Sequence, residues 1–192
     1  MDKLQERAIS FKRLLDYQYI IKLGRKHKLY ELVIDFEKQD FFHLIGFQKL
    51  VDLRFLKRSS ERIFTEALKG NITYSMIEKS QHFDELGYRF EYFDLIESIL
   101  DDNQLVFKCN LNSMQVYSSI KADYLLQNFK DNMTFYIFVE QRKNSKSQFC
   151  KSFFENSILD YTLGQTKMTL LYKEKINKKT GERIVQLDKL SK

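Results

Sequence analysis

The chain has 192 residues and a formal net charge of +6, with 17 Phe, 11 Tyr, 6 Gly and neither Pro nor Trp. This composition excludes a collagen-like chain and a Pro-, Gly- or Ser-rich disordered segment. The 43% hydrophobic share is sufficient for the packed core of one domain. Because residues with GC-rich codons, Pro, Ala and Gly, are scarce, we infer an AT-rich genome, such as that of a low-GC bacterium, a phage or a mobile element.

The basic residues are concentrated at the two ends of the chain. Residues 1–30 contain 8 Lys or Arg against 3 acidic residues, and residues 166–192 contain 8 against 3. Residues 31–165 contain 16 against 20. Codon bias would spread lysine evenly, so this distribution predicts a cationic surface for a polyanion if the ends meet in space. The alternative is two separate, solvated basic ends.

Cysteine and histidine usage indicates neither disulfides nor a metal site. Cys109 and Cys150 form no CxxC motif, and residues 1–20 are too charged for a signal peptide. We therefore expect a cytoplasmic protein with reduced thiols, no contact with a membrane and no cofactor. No two of the histidines have metal-ligand spacing, so we expect no metal: His27, His43 and His82.

The N-terminal half is predicted to be mostly helical. Leu4, Ala8 and Phe11 recur at helical spacing, which predicts an amphipathic helix over residues 3–23 that stops at Gly24. Residues 29–37 alternate between apolar and acidic side chains, as a half-buried strand does. Further helices are predicted within 41–55, from Ser59 or Ser60 to Gly70, from Thr73 to Ser80, and over 92–100.

The second half changes to the two-residue period of strands. Strands are predicted over 104–110, 115–121 and 133–140, then a cationic loop over 141–147 and a hairpin of 166–176 with 182–188 whose turn contains Gly181. The predicted fold is α+β within a single domain, 1–192. Its N-terminal helix and basic segment (1–28) and mostly helical half (29–103) precede a mainly antiparallel four- to five-stranded sheet (104–192).

Two clusters in the helical half contain candidate functional residues. His43 follows a strand within an apolar run, so it is either a hydrogen-bonded core histidine or a general acid or base. Lys79 and Ser80 lie at a predicted helix end. The lysine either favours the helix dipole or contacts a phosphate together with the serine hydroxyl.

Two further clusters lie in the sheet half. On a strand, Ser119 and Lys121 share one face, which is either a wet outer surface or the polar floor of a cleft. Tyr161, Gln165 and Lys167 precede or enter the last long strand. They are either ordinary strand-edge residues or groups that stack on a base and neutralise a phosphate.

Generic catalytic motifs are absent, namely GxSxG, the P-loop, HExxH and the Rossmann glycines. Four segments, however, resemble a phage-associated nuclease group of the barnase/EndoU/colicin/RelE (BECR) superfamily. They are FFHLIGFQKLVDL (41–53), IFTEALKGNITYSMIEKSQHFDE (63–85), ADYLL (122–126) and QTKMTLLYKEKINKKTGE (165–182). The resemblance implies N-terminal helices followed by a four- to five-stranded antiparallel sheet.

The resemblance also implies metal-independent RNA cleavage, in which a ribose 2′-OH attacks the adjacent phosphate. His43 would be the acid or base, and Lys49, Lys79 or Lys121 would offset phosphate charge. Ser80 and Ser119 would donate hydrogen bonds, and Tyr124 or Tyr161 would position the nucleotide. Gln165 and Lys167 complete the set of expected RNA contacts.

Two hypotheses of different class follow. The first is an RNase acting as a toxin or in phage–host conflict, with RNA as substrate and a cognate antitoxin or immunity protein as partner. It requires His43 and at least one of Lys79, Lys121 and Lys167 to line the same cleft. The second is a non-catalytic module of a phage or mobile element that binds or inhibits a host enzyme or defence protein.

Overall fold

Five α-helices and eight strands occur in the described residues of the computed structural model, which are 1–102, 105–116, 118, 120–156 and 158–191. The helices are α1 (Lys3–Leu14), α2 (Asp40–Leu44), α3 (Ser60–Leu68), α4 (Tyr74–Ile77) and α5 (Ile96–Asp102). The strands are β1 (Tyr17–Arg25), β2 (Lys28–Asp35), β3 (Leu105–Lys108), β4 (Tyr124–Lys130), β5 (Met133–Gln141), β6 (Gln148–Glu155), β7 (Thr166–Asn177) and β8 (Arg183–Asp188). Short 3₁₀ turns occupy Phe47–Lys49, Arg54–Lys57, Phe83–Arg89, Phe93–Leu95 and Leu111–Ser113. No helix in the described ranges is long and apolar enough to cross a membrane.

The first helix is shorter than the predicted 3–23. Asp2 caps α1 by accepting hydrogen bonds from two amides of the first turn, at 3.0 and 3.3 Å, and the helix ends at Leu14. The chain then becomes β1, in which Tyr19, Ile21 and Leu23 are buried in alternation. The burial of these three large side chains at every second position favours a strand more strongly than the helical spacing of apolar residues from α1 favours a longer helix.

Gly24 lies within β1 and is not a helix stop. A Cβ atom added there would lie 2.8 Å from Cδ1 of Leu171 on the neighbouring strand β7. The glycine therefore allows close contact between two paired strands, which is a recognised reason for glycine inside a strand.

Seven strands form a closed mixed barrel, so the predicted four- to five-stranded antiparallel sheet is wrong. The order is β1-β2-β6-β5-β4-β3-β7, and β7 pairs again with β1, while β8 extends β7 as an additional strand. The sequence analysis did not identify β1, β4 and β6. The predicted strand 115–121 is also wrong in its described part, which is irregular and leads into β4.

The barrel closes through one parallel seam between β2 and β6, whose single ladder pair joins Ile34 to Gln148. Side chains supplement this short ladder. The Oε1 atom of Gln148 accepts the Val33 amide at 2.7 Å. Arg142, just after β5, donates to the Asp35 carboxylate at 3.1 Å and to that of Asp40 at 2.5 Å.

The two faces of the sheet have different hydrophobic clusters. The inner cluster combines buried residues of the helices with residues of strands β1 to β7. On the outer face, Phe107, Leu125, Tyr136 and Phe138 form a second cluster, against which Tyr161 and residues of the 109–123 loop pack. The outer cluster holds two connecting loops against β5 and β6.

Several predicted elements are confirmed. Strand 29–37 corresponds to β2, strand 133–140 to β5, and the last hairpin to β7 and β8, with Gly181 at a φ of 74°. Ser59 caps α3, its Oγ accepting the Arg62 amide at 3.4 Å, and Gly70 follows that helix at a φ of 75°. The basic ends do meet, because β1 pairs with β7.

Candidate active site

Two cavities lie on either side of the middle of β6. The first, which we call the Arg89 cavity, has a volume of about 550 Å³. Its lining includes Lys49, Glu85, Arg89, Ser118, Ser152 and Tyr161. The second, the His43 cavity, has a volume of about 710 Å³, and its lining includes His43, Glu140, Arg142 and Phe149. Both volumes fall within the range of small-molecule sites.

The guanidinium of Arg89 is the strongest candidate for an anion-binding group. Its Nε donates to the carbonyl oxygen of Phe153 at 2.7 Å, and its Cζ lies 5.8 Å from the centre of the Phe154 ring. No carboxylate lies within ion-pair distance of it in the described part of the chain, and its buried Nη1 has no hydrogen-bond partner there. Burial lowers the pKa of Arg89, as expected for a cation held without an anion.

The backbone places Arg89 by two unusual turns. Gly87 interrupts the 3₁₀ segment before it, with φ 53° and ψ −149°, a conformation that favours glycine. Gly46 has a φ of 92°, and a Cβ atom there would lie 3.0 Å from Nη1 of Arg89. Gly46 therefore leaves room for the guanidinium, whereas Gly87 allows the backbone turn that precedes Arg89.

Two carboxylates, Glu85 and Glu155, and a second cation line the same cavity. Glu85 lies 3.7 Å from the Lys49 ammonium, and its Oε1 lies 2.6 Å from Nδ1 of His82. A carboxylate held by a histidine beside two cations has the groups needed for proton transfer next to a bound phosphate. This arrangement distinguishes the Arg89 cavity from an apolar cleft.

Tyr161 is fixed at the edge of the cavity. Its ring contacts Tyr136, Phe138 and Phe154, with centroid distances of 5.2 to 5.8 Å. Ser152, on β6, is buried beside it, and Ser118 contributes a hydroxyl from the 109–123 loop. The cavity lining therefore includes one aromatic cluster and two serine hydroxyls as well as the cations.

His43 lies at the C-terminal end of α2 and is exposed. Partial burial of the ring lowers its pKa, Lys151 lowers it further, and Asp40 opposes both effects. Lys151 lies on β6 between the residues that line the two cavities, and it pairs with Glu140 at 2.7 Å. His43 is therefore an accessible titrating group rather than a core histidine.

Comparison with known proteins identifies the family. The family described as PBECR4, phage-Barnase-EndoU-ColicinE5/D-RelE like nuclease4, matches residues 3–190. The chain belongs to this family. No curated protein and no solved structure gives a significant match. The family is one of phage-associated nucleases, so the resemblance seen in the sequence is confirmed and a nuclease-like function in a phage context is supported.

Two residues expected to contact RNA, Lys49 and Tyr161, meet in the Arg89 cavity of this PBECR4 protein. His43 lines the other cavity, and Lys79, Lys121 and Lys167 line neither. The expected convergence of His43 with one of these three lysines is therefore not seen at either cavity.

The remaining expected site residues lie elsewhere. Ser80 is buried, and its Oγ donates to Asp52 at 2.5 Å; this bond lowers the pKa of Asp52. Gln165 bonds the backbone of Asn110 through both side-chain atoms, at 2.6 and 3.2 Å. Tyr124 is half-buried at the start of β4, where burial raises its pKa. Ser119 lies outside the described residues.

The sequence analysis missed the guanidinium of Arg89. Its contacts with Phe153 and Phe154 are 64 and 65 positions away in sequence, so no local spacing reveals them. Glu85 and His82 fell within a segment identified by resemblance, but their pairing was not predicted. Among the described residues, no group of three or more His, Cys, Asp or Glu could hold a metal ion.

Proposed function

We propose that this PBECR4 protein is an endoribonuclease that cleaves RNA at the Arg89 cavity by attack of a ribose 2′-oxygen on the adjacent phosphate. The proposal rests on the Arg89 guanidinium, a positive charge that has no carboxylate partner in the described residues and would therefore bind a phosphate. A phosphate in the cavity would supply the anion that the charge of Arg89 lacks among the described residues. Lys49, on the same lining, would share the charge that develops on the phosphorane.

The reaction balances with groups of the chain alone. Glu85 takes the 2′-OH proton, the 2′-oxygen forms a bond to phosphorus, and the bond from phosphorus to the 5′-oxygen breaks. His82 holds Glu85 in one orientation through the 2.6 Å contact. We assign protonation of the 5′-oxygen to the Lys49 ammonium, because Lys49 lines the same cavity as Arg89 and Glu85 and this oxygen is bonded to the phosphorus that is attacked. The products are a 2′,3′-cyclic phosphate and a 5′-hydroxyl.

The direct test is incubation of the purified protein with tRNA and mRNA in EDTA. We expect RNA fragments from the wild type and a large loss of cleavage in Glu85→Gln. Lys49→Gln should also lose most of the cleavage, whereas His43→Ala, which alters the other cavity, should retain it. If no RNA is cut and one host protein is retained in a pull-down after RNase treatment, the non-catalytic binding module is the better account.

A role in phage–host conflict follows from this chemistry, because cutting cellular RNA stops growth of the cell. Expression of the wild-type chain should inhibit bacterial growth, whereas Glu85→Gln should not, at equal protein level. A cognate antitoxin or immunity protein would then be the partner that restores growth. Growth inhibition by both proteins alike would contradict this role.

A further inference from the structure

A group of cations surrounds one end of the barrel. Arg25, Lys26 and Lys28 form the β1–β2 turn, Lys108 ends β3, and Lys167 lies at the start of β7. We call these five residues the basic rim. They come from both basic ends of the chain and from β3, and the β1–β7 pairing brings the two ends together.

Contacts between strands hold the basic rim in one place. Nη1 of Arg25 donates to the carbonyl oxygen of Lys167 at 2.9 Å, which ties the turn to β7. Lys167 pairs in register with Phe107, the residue before Lys108. The Lys108 ammonium lies 5.3 Å from the centre of the Tyr30 ring on β2. The rim is therefore a continuous surface across four strands.

The rim charges lack the partners that other cations of the sheet have. Lys151, Lys175 and Arg183 each pair with a carboxylate. Within the described ranges, no rim residue has a carboxylate at ion-pair distance. Lys26, Lys28, Lys108 and Lys167 are exposed as well. Five unneutralised charges on one surface attract a polyanion from solution.

The β1–β2 turn retains basic residues at a conformational cost. Lys26 and His27 have φ values of 45° and 61° in a two-residue turn closed by the Arg25–Lys28 pair. This geometry favours Asn and Gly, and Lys is uncommon there. The β4–β5 turn of the same barrel has the same geometry, with φ values of 51° and 62°, and uses the favoured types Asp131 and Asn132. The positive charge of Lys26 therefore comes at a conformational cost that Asn at the same position would not have.

The rim is connected to the Arg89 cavity by one loop. Lys108 is followed by Cys109, whose amide donates to the Asp123 carbonyl oxygen at 2.8 Å, so the loop between them returns to its starting point. Ser118 and Ile120 of this loop line the Arg89 cavity. The loop that lines the cavity therefore begins next to Lys108 of the rim.

We infer that the basic rim binds the backbone of single-stranded RNA whose scissile phosphate lies in the Arg89 cavity, so that the enzyme favours long substrates over short ones. This inference rests on the proposed function. The partner is RNA because the proposed attack requires a 2′-OH, and it is a single strand because a flexible backbone can contact cations on four strands while one phosphate lies in the cavity.

The test measures binding and cleavage separately. Binding uses 2′-O-methyl RNA of about 16 nucleotides, which covers the range of single-strand site sizes and cannot be cut. Lys108→Gln/Lys167→Gln should weaken binding and lower the slope of log Kd against log salt by about 0.7 for each charge removed. For cleavage, the KM of a long RNA should rise while the kcat/KM of a dinucleotide stays unchanged. Lys12→Gln/Lys69→Gln removes two exposed charges from the helical side and should change neither.

The turn provides a second variant that separates binding from folding. Lys26→Asn/His27→Gly introduces the residues that the turn geometry favours, so Tm should rise while the affinity for 2′-O-methyl RNA falls. If the rim variants and the helix control bind alike, the inference is overturned, whether or not RNA is cut. If the rim variants lose binding but no RNA is ever cut, the rim stands as an RNA surface and the proposed cleavage fails. A rim that binds duplex DNA more tightly than single-stranded RNA also contradicts the inference.

Discussion

Arg89→Gln lowers kcat/KM for RNA by about 100- to 1000-fold, the range measured when one donor to a developing oxyanion is removed. The loss is expected in kcat, because the guanidinium would bind the charge that increases on the phosphate in the transition state. Gln keeps a hydrogen-bond donor but not the charge that Arg89 brings to the cavity. The measurement is steady-state cleavage of a fluorescent RNA, with the 2′-O-methyl analogue as the binding control.

Arg7 provides the matched control for this variant. Its Nε donates to the Phe90 carbonyl oxygen at 2.9 Å, and its Cζ lies 5.6 Å from the Phe90 ring centre, which reproduces two of the contacts of Arg89. Arg7 differs in its ion pair with Asp94 and in its absence from either cavity lining. Arg7→Gln should therefore lose stability but retain kcat/KM per folded molecule. Equal losses of activity in both variants would assign Arg89 to packing alone.

Arg142→Gln lowers the free energy of unfolding by about 3–5 kcal/mol, the usual cost of removing one partner of a buried ion pair. Asp40 is 3% exposed and would remain as a buried carboxylate without its cation. Burial already raises the pKa of Asp40, although the bonds from Arg142 oppose that effect. The seam between β2 and β6 would lose its bonds to Arg142 at the same time. The measurement is the free energy of unfolding from urea denaturation.

The stability deficit of Arg142→Gln should depend on pH. Asp40 is protonated in acid and then needs no cation, so the difference from wild type should shrink as pH falls through the raised pKa of Asp40. Lys179→Gln breaks an exposed pair with Asp16 and should cost less than about 1 kcal/mol at any pH. A loss of that small size in Arg142→Gln would mean that the seam does not depend on the arginine.

The sequence analysis predicted the elements that a local pattern of apolar residues marks. It missed the strands that form by pairing with strands distant in sequence. Apolar and acidic side chains alternate in β2, and the centre of β5 is apolar on both faces. Ser59 and Gly70 are ordinary capping residues at the two ends of α3. The strand β1 was assigned to a helix because Leu15 continues the spacing of α1. The alternation of buried side chains in β1 specifies a strand only once β2 and β7 pair with its two edges.

The candidate site was only partly predictable for the same reason. Lys49 and Tyr161 lay in segments that resemble the family, and both reach the Arg89 cavity. Arg89 and Ser152 come together only when the segment after Gly87 crosses β6, a contact between distant parts of the chain. The charge distribution left open whether the two basic ends meet, and the β1–β7 pairing that brings them together depends on the strand β1, which the sequence analysis did not identify.

The most direct test of RNA cleavage at the Arg89 cavity uses one RNA in two forms, incubated with the protein in EDTA. The first form is all RNA, and the second has a single 2′-deoxy residue on the 5′ side of the scissile phosphate. We predict that mass spectrometry detects a 2′,3′-cyclic phosphate at the cut in the first form and no cut at that position in the second, with Arg89→Gln inactive on both. Cleavage at the 2′-deoxy position, or full activity of Arg89→Gln, would contradict the account.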